Sequence, residues 1–185
     1  AAIAASVPRV RIGPLVAGNT YRNPALTAKI ATTIDHISGG RVVLGIGAGW
    51  QENEHEKYGF DFSTLKGRLD RLDEAVEIIT SLLANVRTEY QGTHYTLIDA
   101  PLDPKPIQAK VPLLIGGGGR KRTLRTAARH ADEWNYWGMP SDIEELCGVL
   151  DAHCEDVGRD PSSIQRSACA LMFISEDEER LSRLR

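Results

Sequence analysis

No stretch of this sequence holds the roughly 20 consecutive apolar residues that a membrane-crossing helix needs. Positive charge is not in surplus either. Its 22 Lys and Arg stand against 25 Asp and Glu, a net charge of −3, so no basic footprint argues for nucleic acid. Cysteine is scarce: Cys147, Cys154 and Cys169 are odd in number and widely spaced. That usage fits a reduced, cytoplasmic setting rather than a disulfide framework. No Cys/His spacing resembles a zinc site, and no metal is expected. Cys147 and Cys154, seven apart on one predicted helix, read as small core residues. No basic segment precedes the apolar residues 1–5, so they do not read as a signal peptide. The chain lacks an initiator Met, begins as if inside one helix and ends as if inside another. We expect it to be a piece of something longer.

What is present is ordinary for one globular domain: 185 residues, 42% hydrophobic and 25% charged. Residues 41–50, Arg-Val-Val-Leu-Gly-Ile-Gly-Ala-Gly-Trp, organise the rest. Val42, Val43, Leu44 and Ile46 form a short apolar run of the kind buried on both faces of a parallel sheet. Gly45, Gly47 and Gly49 follow at every second position. Propensity does not favour glycine in a strand; close approach of something flat or bulky does, and so does a tight strand-to-helix turn.

Before this strand, residues 1–6 read as a helix tail and 7–16 as a strand. Asn23 caps a helix with Pro24 at its first position. Leu26, Ile30, Ile34 and Ile37 recur on its apolar face, and Gly39-Gly40 ends it. After Trp50, residues 51–57 read as a polar loop. Residues 65–83 read as a long helix with a buried stripe of Leu69, Leu72, Val76, Ile79 and Leu83. Its Asp70, Asp73, Glu74 and Glu77 read as a solvated face. Residues 90–109 read as an irregular insertion with room for one small hairpin. A strand at 111–115 runs into Gly116, Gly117, Gly118 and Gly119, and a helix follows with Leu124, Ala127, Ala128 and Ala131. A strand at 132–137 comes next. Ser141 and Glu144 form a capping box for a helix that Gly158 closes. A strand at 165–174 is followed by a helix opened by Ser175 and Glu178. Strands alternate with helices throughout, so the class is α/β with a parallel sheet. Periodicity alone leaves an open doubly wound sheet and a (β/α)8 barrel both available.

In either architecture ligands bind at the carboxyl ends of the strands. The four-glycine run carries the strongest signal. Its N–H groups can converge on one anion, and the next helix adds the positive end of its dipole. Arg120, Lys121 and Thr123 add charge and a hydroxyl. The run fits neither a Walker loop nor the dinucleotide fingerprint. His36 and His130 lie in helices, and His94 in the insertion. Trp50, Glu54 and His55 follow the second strand and are the candidate catalytic residues, with a plain surface cluster as the competing reading.

Four motifs, in this order and spacing, resemble the bacterial luciferase-like flavin and deazaflavin oxidoreductases. They are residues 19–25 (Asn-Thr-Tyr-Arg-Asn-Pro-Ala), 37–41 (Ile-Ser-Gly-Gly-Arg), 44–50 (Leu-Gly-Ile-Gly-Ala-Gly-Trp) and 112–119 (Pro-Leu-Leu-Ile-Gly-Gly-Gly-Gly). The branch most similar is the actinobacterial one dependent on coenzyme F420. The resemblance covers nearly the whole chain. It implies a (β/α)8 TIM barrel, of which residues 1–185 are a single domain covering about the third to seventh strands and incomplete at both ends. It implies hydride transfer between F420 and a small organic molecule in the cytoplasm, with the full-length protein a candidate homodimer. It implies a non-proline cis peptide at Leu15–Val16 as backstop to the cofactor ring, and a phosphate held by Gly116, Gly117, Gly118 and Gly119. Gly47, Ala48, Gly49, Asn135 and Trp137, at the carboxyl ends of the neighbouring strands, complete the expected cofactor site. In the family's sugar-phosphate dehydrogenase branch a carboxylate follows the glycines of the fourth strand. Trp50 stands there instead, and that substrate class is not carried across. Two other readings stay open: an FMN-dependent luciferase-like monooxygenase using O2, and a non-catalytic deazaflavin-binding protein.

Overall fold

The computed structural model describes residues 1–170 and 174–183. In chain order the elements are α1 (Ala2–Ser6), β1 (Ala17–Gly18), α2 (Pro24–Ser38), β2 (Leu44–Gly47), α3 (Glu52–Tyr58), α4 (Leu65–Ala84), β3 (Arg87–Gln91) and β4 (Thr96–Pro101). Then come β5 (Leu113–Gly116), α5 (Thr123–His130), β6 (Glu133–Trp137), α6 (Pro140–Asp156), β7 (Gln165–Cys169) and α7 (Glu178–Ser182). Strands β1, β2, β5, β6 and β7 form one sheet in that order, every pair parallel, while β3 and β4 form a separate antiparallel ribbon. With the ribbon set aside, each strand pairs with the next along the chain. A doubly wound sheet reverses its order at a switch point; this one does not. It is part of a (β/α)8 barrel.

Strand alternation separates two faces. Leu44, Ile46, Leu113, Ile115 and Trp134 join Val76, Ile79, Leu124 and Leu150 of the helices in the main core. Val43, Gly45, Gly47, Leu114, Gly116, Glu133 and Asn135 alternate onto the barrel's inner face. The Asn23 carboxamide oxygen accepts from the Ala25 N–H at 2.9 Å and starts α2, and Gly39 at φ +65° ends it.

Several local expectations are corrected. The strand expected at 7–16 is only one bridge, Ile12 to Val42, followed by the two-residue β1. Pro8 and Pro14 have no N–H to give a ladder. Residues 51–57 are not a loop: 52–58 form α3, closed by Gly59 at φ +73°. Ser141 caps nothing. The helix begins earlier, with Met139 as its cap residue and Pro140 at the first position, so Ser141 lies inside the first turn. The small hairpin allowed for in the insertion 90–109 is β3–β4, which begins earlier, at Arg87, and carries a bulge between Thr88 and Tyr90; residues 102–109 form no helix or strand. The expected strand 165–174 is described as β7 to Cys169; residues 171–173 lie outside the described residues.

Two helix faces differ from their apolar pattern. On α2 the buried side is small, with Thr27, Ala28, Ala31 and Thr32, so backbones approach closely and Leu26, Ile30 and Ile37 turn outward. On α4 the carboxylates are not merely solvated. Glu74 accepts from the backbone N–H groups of Thr93, His94 and Tyr95 at 2.8 to 3.2 Å and holds the hairpin turn. Glu77 accepts from the Tyr90 hydroxyl at 2.9 Å. Asp70 and Asp73 pair with Arg122 at the start of α5.

Two outcomes follow from this architecture. Glu74→Gln removes the charge from three hydrogen bonds and leaves the amide only its oxygen as acceptor, so a loss of about 1–3 kcal/mol is expected in denaturant titration. Faster amide exchange at residues 93–95 should accompany it; unchanged exchange there would show that the hairpin is held by other contacts. The 185-residue chain taken alone leaves the outer edges of β1 and β7 open, and open edges invite pairing between chains. Size-exclusion chromatography should show association, and a monodisperse, cooperatively melting monomer would contradict it.

Candidate functional site

The carboxyl ends of the parallel strands meet on one face, the face on which barrel enzymes hold their ligands. Register places Gly18 beside Gly47, and Gly116 beside Asn135. Gly47 and Gly116 are neighbours across β2 and β5: a Cβ on Gly47 would stand 3.5 Å from the Gly116 carbonyl oxygen. The sequence-predicted cofactor residues Leu15, Val16, Gly47, Ala48, Gly49, Gly116 to Gly119, Asn135 and Trp137 therefore lie on or around this face.

The glycines of the strands are explained by the chain itself. A Cβ on Gly47 would stand 2.8 Å from Val16 Cγ2, and one on Gly116 would stand 2.8 Å from Val16 Cγ1. A Cβ on Gly45 would collide with the Pro14 carbonyl. Gly49 has φ +81°, and a side chain there would meet Thr20 Oγ1 at 2.6 Å. The sequence pattern pointed to close approach of something flat or bulky, or to a tight strand-to-helix turn. The close approach belongs to Pro14, Val16 and Thr20. The Leu15–Val16 peptide bond is cis, and Leu15 is 57% exposed.

The four-glycine run is different. The Gly117 N–H donates to the Asn135 carbonyl at 3.0 Å, and the Gly117 carbonyl accepts from the Trp134 indole N–H at 2.9 Å. Gly117 has φ +122°, which glycine alone adopts without strain. From that locked peptide onward, the N–H groups of Gly118, Gly119, Arg120, Lys121, Arg122 and Thr123 have no acceptor among the described residues. They precede and open α5, whose dipole adds to them. Gly118 lies under the Tyr136 ring, which a Cβ would meet at 2.5 Å.

The basic residues beside the loop divide in an unexpected way. Arg122 points back to Asp70 and Asp73, and Arg120 forks onto Glu145 of α6. The Arg120 guanidinium holds the Glu145 carboxyl below its ordinary range. Lys121 has no ion-pair partner among the described residues. His153 of α6 meets the Arg120 carbonyl at 2.7 Å, so α6 grips Arg120 by side chain and backbone alike.

Asn135 and Trp137 share the inner face of β6, while Tyr136 stacks outward beside Trp134 at 6.3 Å. The Asn135 amide donates to Ser167 Oγ at 3.0 Å. Trp137 is 65% exposed and Trp50 81%. Of the candidate catalytic residues, Trp50 and Glu54 are exposed, but His55 is not the surface group a polar loop would make it. It lies on α3 and is buried, because Tyr21, Phe60 and Phe62 enclose its ring. Glu54 accepts from the Tyr21 hydroxyl at 2.9 Å. Partial burial, and then this carboxylate, raise the Tyr21 phenol above its ordinary pKa. His36 meets the Lys105 carbonyl, and burial lowers the His130 imidazole below its ordinary pKa. Neither lies among the residues of this face.

Sequence reasoning missed Thr20, Tyr21 and Asn19 as a packed group. The Asn19 amide donates to the Arg71 carbonyl at 3.1 Å and to the Tyr95 hydroxyl at 3.3 Å, so the hairpin reaches the end of β1. Their place after the first strand was the available signal.

Parallel strands in chain order, with glycines and an amide-lined loop at their carboxyl ends, define this chain as part of a (β/α)8 barrel. The chain belongs to the luciferase-like monooxygenase family, whose model matches residues 1–185. It is 39% identical over 162 residues to an F420-dependent glucose-6-phosphate dehydrogenase of Microbacterium testaceum, covering 85% of this chain and 47% of that protein. It is 34% identical over 172 residues to a 5,10-methylenetetrahydromethanopterin reductase of Archaeoglobus fulgidus, covering 92% and 50%. The solved coenzyme F420 dependent tetrahydromethanopterin reductase of Methanopyrus kandleri matches with a TM-score of 0.84 at 25% identity, over 95% of this chain and 54% of that one. The chain thus spans about half the length of these relatives.

The packing of Val16 makes a direct expectation. Gly47→Ala should cost about 1–3 kcal/mol through overpacking. Adding Val16→Ala should recover part of that loss. Melting curves of the two variants and the pair check it; simple additivity would show that Val16 is not what excludes a side chain at Gly47.

Proposed function

We propose that this chain carries the cofactor-holding part of a coenzyme F420-dependent oxidoreductase that moves a hydride between the deazaflavin and an organic molecule. The observation that carries the reading is the run of unpaired amides from Gly118 to Thr123 behind the locked Gly117 peptide. An anionic cofactor tail fits that loop: the amides donate and Lys121 is the uncommitted cation. The F420-dependent relatives support the choice of deazaflavin over FMN, whose phosphate the same loop would suit.

The bound cofactor would supply the hydride chemistry. The chain's part is to hold and orient. The amides fix the anion, and Val16 with Gly47, Ala48 and Gly49 gives a floor at the ends of β1 and β2. Asn135 and Trp137 present polar and aromatic surface from β6. Trp50, a large uncharged ring at the end of β2, supports an organic substrate other than a sugar phosphate. The reading takes residues 1–185 as part of one barrel domain of a cytoplasmic enzyme.

The test uses the full-length protein. F420 should bind more tightly than FMN. Gly117→Val places a β-branched residue at φ +122° and should remove one or two charge-assisted hydrogen bonds. At ~1.5–3 kcal/mol each, F420 affinity should fall by roughly tenfold to ten-thousandfold, and the backbone strain at the locked Gly117 peptide should lower the melting temperature as well. An unchanged dissociation constant with normal stability would show that the loop only turns the chain. Preference for FMN would overturn the deazaflavin reading.

A further inference from the structure

Cofactor holding leaves one buried titratable group of this face without a task. His55 is 1% exposed. Tyr21 stacks on its ring at 4.5 Å between centroids, and Phe62 lies at 4.7 Å. Its hydrogen bonds decide which nitrogen carries the proton. Nδ1 is 2.6 Å from the Gln51 carbonyl, which can only accept, so Nδ1 is protonated. In the neutral ring Nε2 is then an acceptor, and the Thr20 hydroxyl donates to it at 2.7 Å. Thr20 is only half-buried, in the turn that follows β1. Its oxygen sits over Gly49, where the missing side chain leaves it room. With its proton turned to His55, this hydroxyl keeps its lone pairs free to accept from another donor.

We propose that Thr20 and His55 form a proton relay, with Thr20 touching the substrate and His55 storing the proton. A substrate X–H group, such as an alcohol or an amine, gives its proton to Thr20 Oγ1 while the Thr20 proton passes to His55 Nε2. The X–H bond and the old Thr20 O–H bond break, and a new O–H and an N–H bond form. X keeps its electron pair, and His55 becomes an imidazolium. In the opposite direction the charged ring donates to Thr20 and turns the hydroxyl proton outward. The groups facing His55 suit that charge. The Tyr21 hydroxyl is 3.3 Å from Nδ1 with the Glu54 carboxylate behind it. Arg71 pairs with the Asp61 carboxylate and holds its pKa below the ordinary value, and a charge on His55 adds to that lowering. Arg68, stacked over Phe62 at 3.8 Å, is the cation on that side. The inference rests on the reading above only in taking this face as the one that receives substrate.

The test in the full-length protein does not need the substrate. Histidine 15N spectra of the neutral ring should show Nδ1 carrying the proton and Nε2 bare. If Thr20 is the path by which the buried ring exchanges protons with solvent, Thr20→Val should slow protonation exchange at His55 by about a hundredfold, the lower end of what a positioned proton-transfer group contributes. Thr20→Ser should restore it. The valine leaves the buried Nε2 without its donor, so a lower melting temperature is expected there and should be regained in the serine variant. If Thr20→Val folds poorly, Thr20→Ala carries the same comparison. A neutral ring protonated on Nε2, or exchange in the valine or alanine variant as fast as in the unaltered protein, overturns the relay. Failure of the unaltered protein to bind F420 overturns the proposed function instead, and the spectra still decide the relay.

Discussion

The segment Gly13–Pro14–Leu15–Val16 pressed against the glycines of β2 and β5 is the constraint on which the site depends. Gly45 makes room for the Pro14 carbonyl, and Gly47 and Gly116 make room for the Val16 methyl groups. Proteins close-pack their interiors, so a contact of this kind tolerates no added methyl without movement. It sets the height of the floor at the strand ends before any ligand arrives. It also accounts for the shortness of β1: a segment containing Pro14 and lying over two neighbouring strands has no N–H at that position to pair beside them.

Helix α4 acts as a strut between two distant parts of that face. Its core side carries Leu72, Val76, Ile79 and Leu82. Along the other side, Asp70 and Asp73 take Arg122 at the root of the amide loop, while Glu74 and Glu77 take the hairpin turn and Tyr90. Four carboxylates within two turns hold the loop after β5 and the β3–β4 ribbon to one rigid element. The Arg122 pairs are partly exposed, so their worth lies in orientation more than in stability. They turn that guanidinium away from the loop it flanks.

Much of the fold was legible because β-branched runs, glycine stops and the Asn23-Pro24 start are local signals. The barrel itself came from the resemblance, since strand order is not a local property. The misread elements share a cause. The glycines at 45, 47 and 49 look alike whether a ligand or the chain's own Val16 and Thr20 fills the space. The apolar stripe of α2 faces outward because small residues, invisible to a hydrophobic pattern, allowed closer packing on the other side. Asp70, Asp73 and Glu74 read as a solvated face because their partners are about 20 to 50 residues away. His55 read as a surface group because Tyr21, Phe60 and Phe62 enclose it only after α3 has formed.

The division of charge around the amide loop has a consequence for how an anion held there would respond to its surroundings. Arg120 and Arg122 are each committed to carboxylates, so attraction in the loop rests on oriented peptide dipoles and on Lys121. Mobile ions screen long-range attraction between exposed charges within about 10 Å at 0.1 M salt. They screen short contacts to fixed amides far less. An anion seated on Gly118 to Thr123 would be gripped at close range but hardly steered from a distance. Ionic strength would then act mainly through one lysine, and shape rather than field would select what enters.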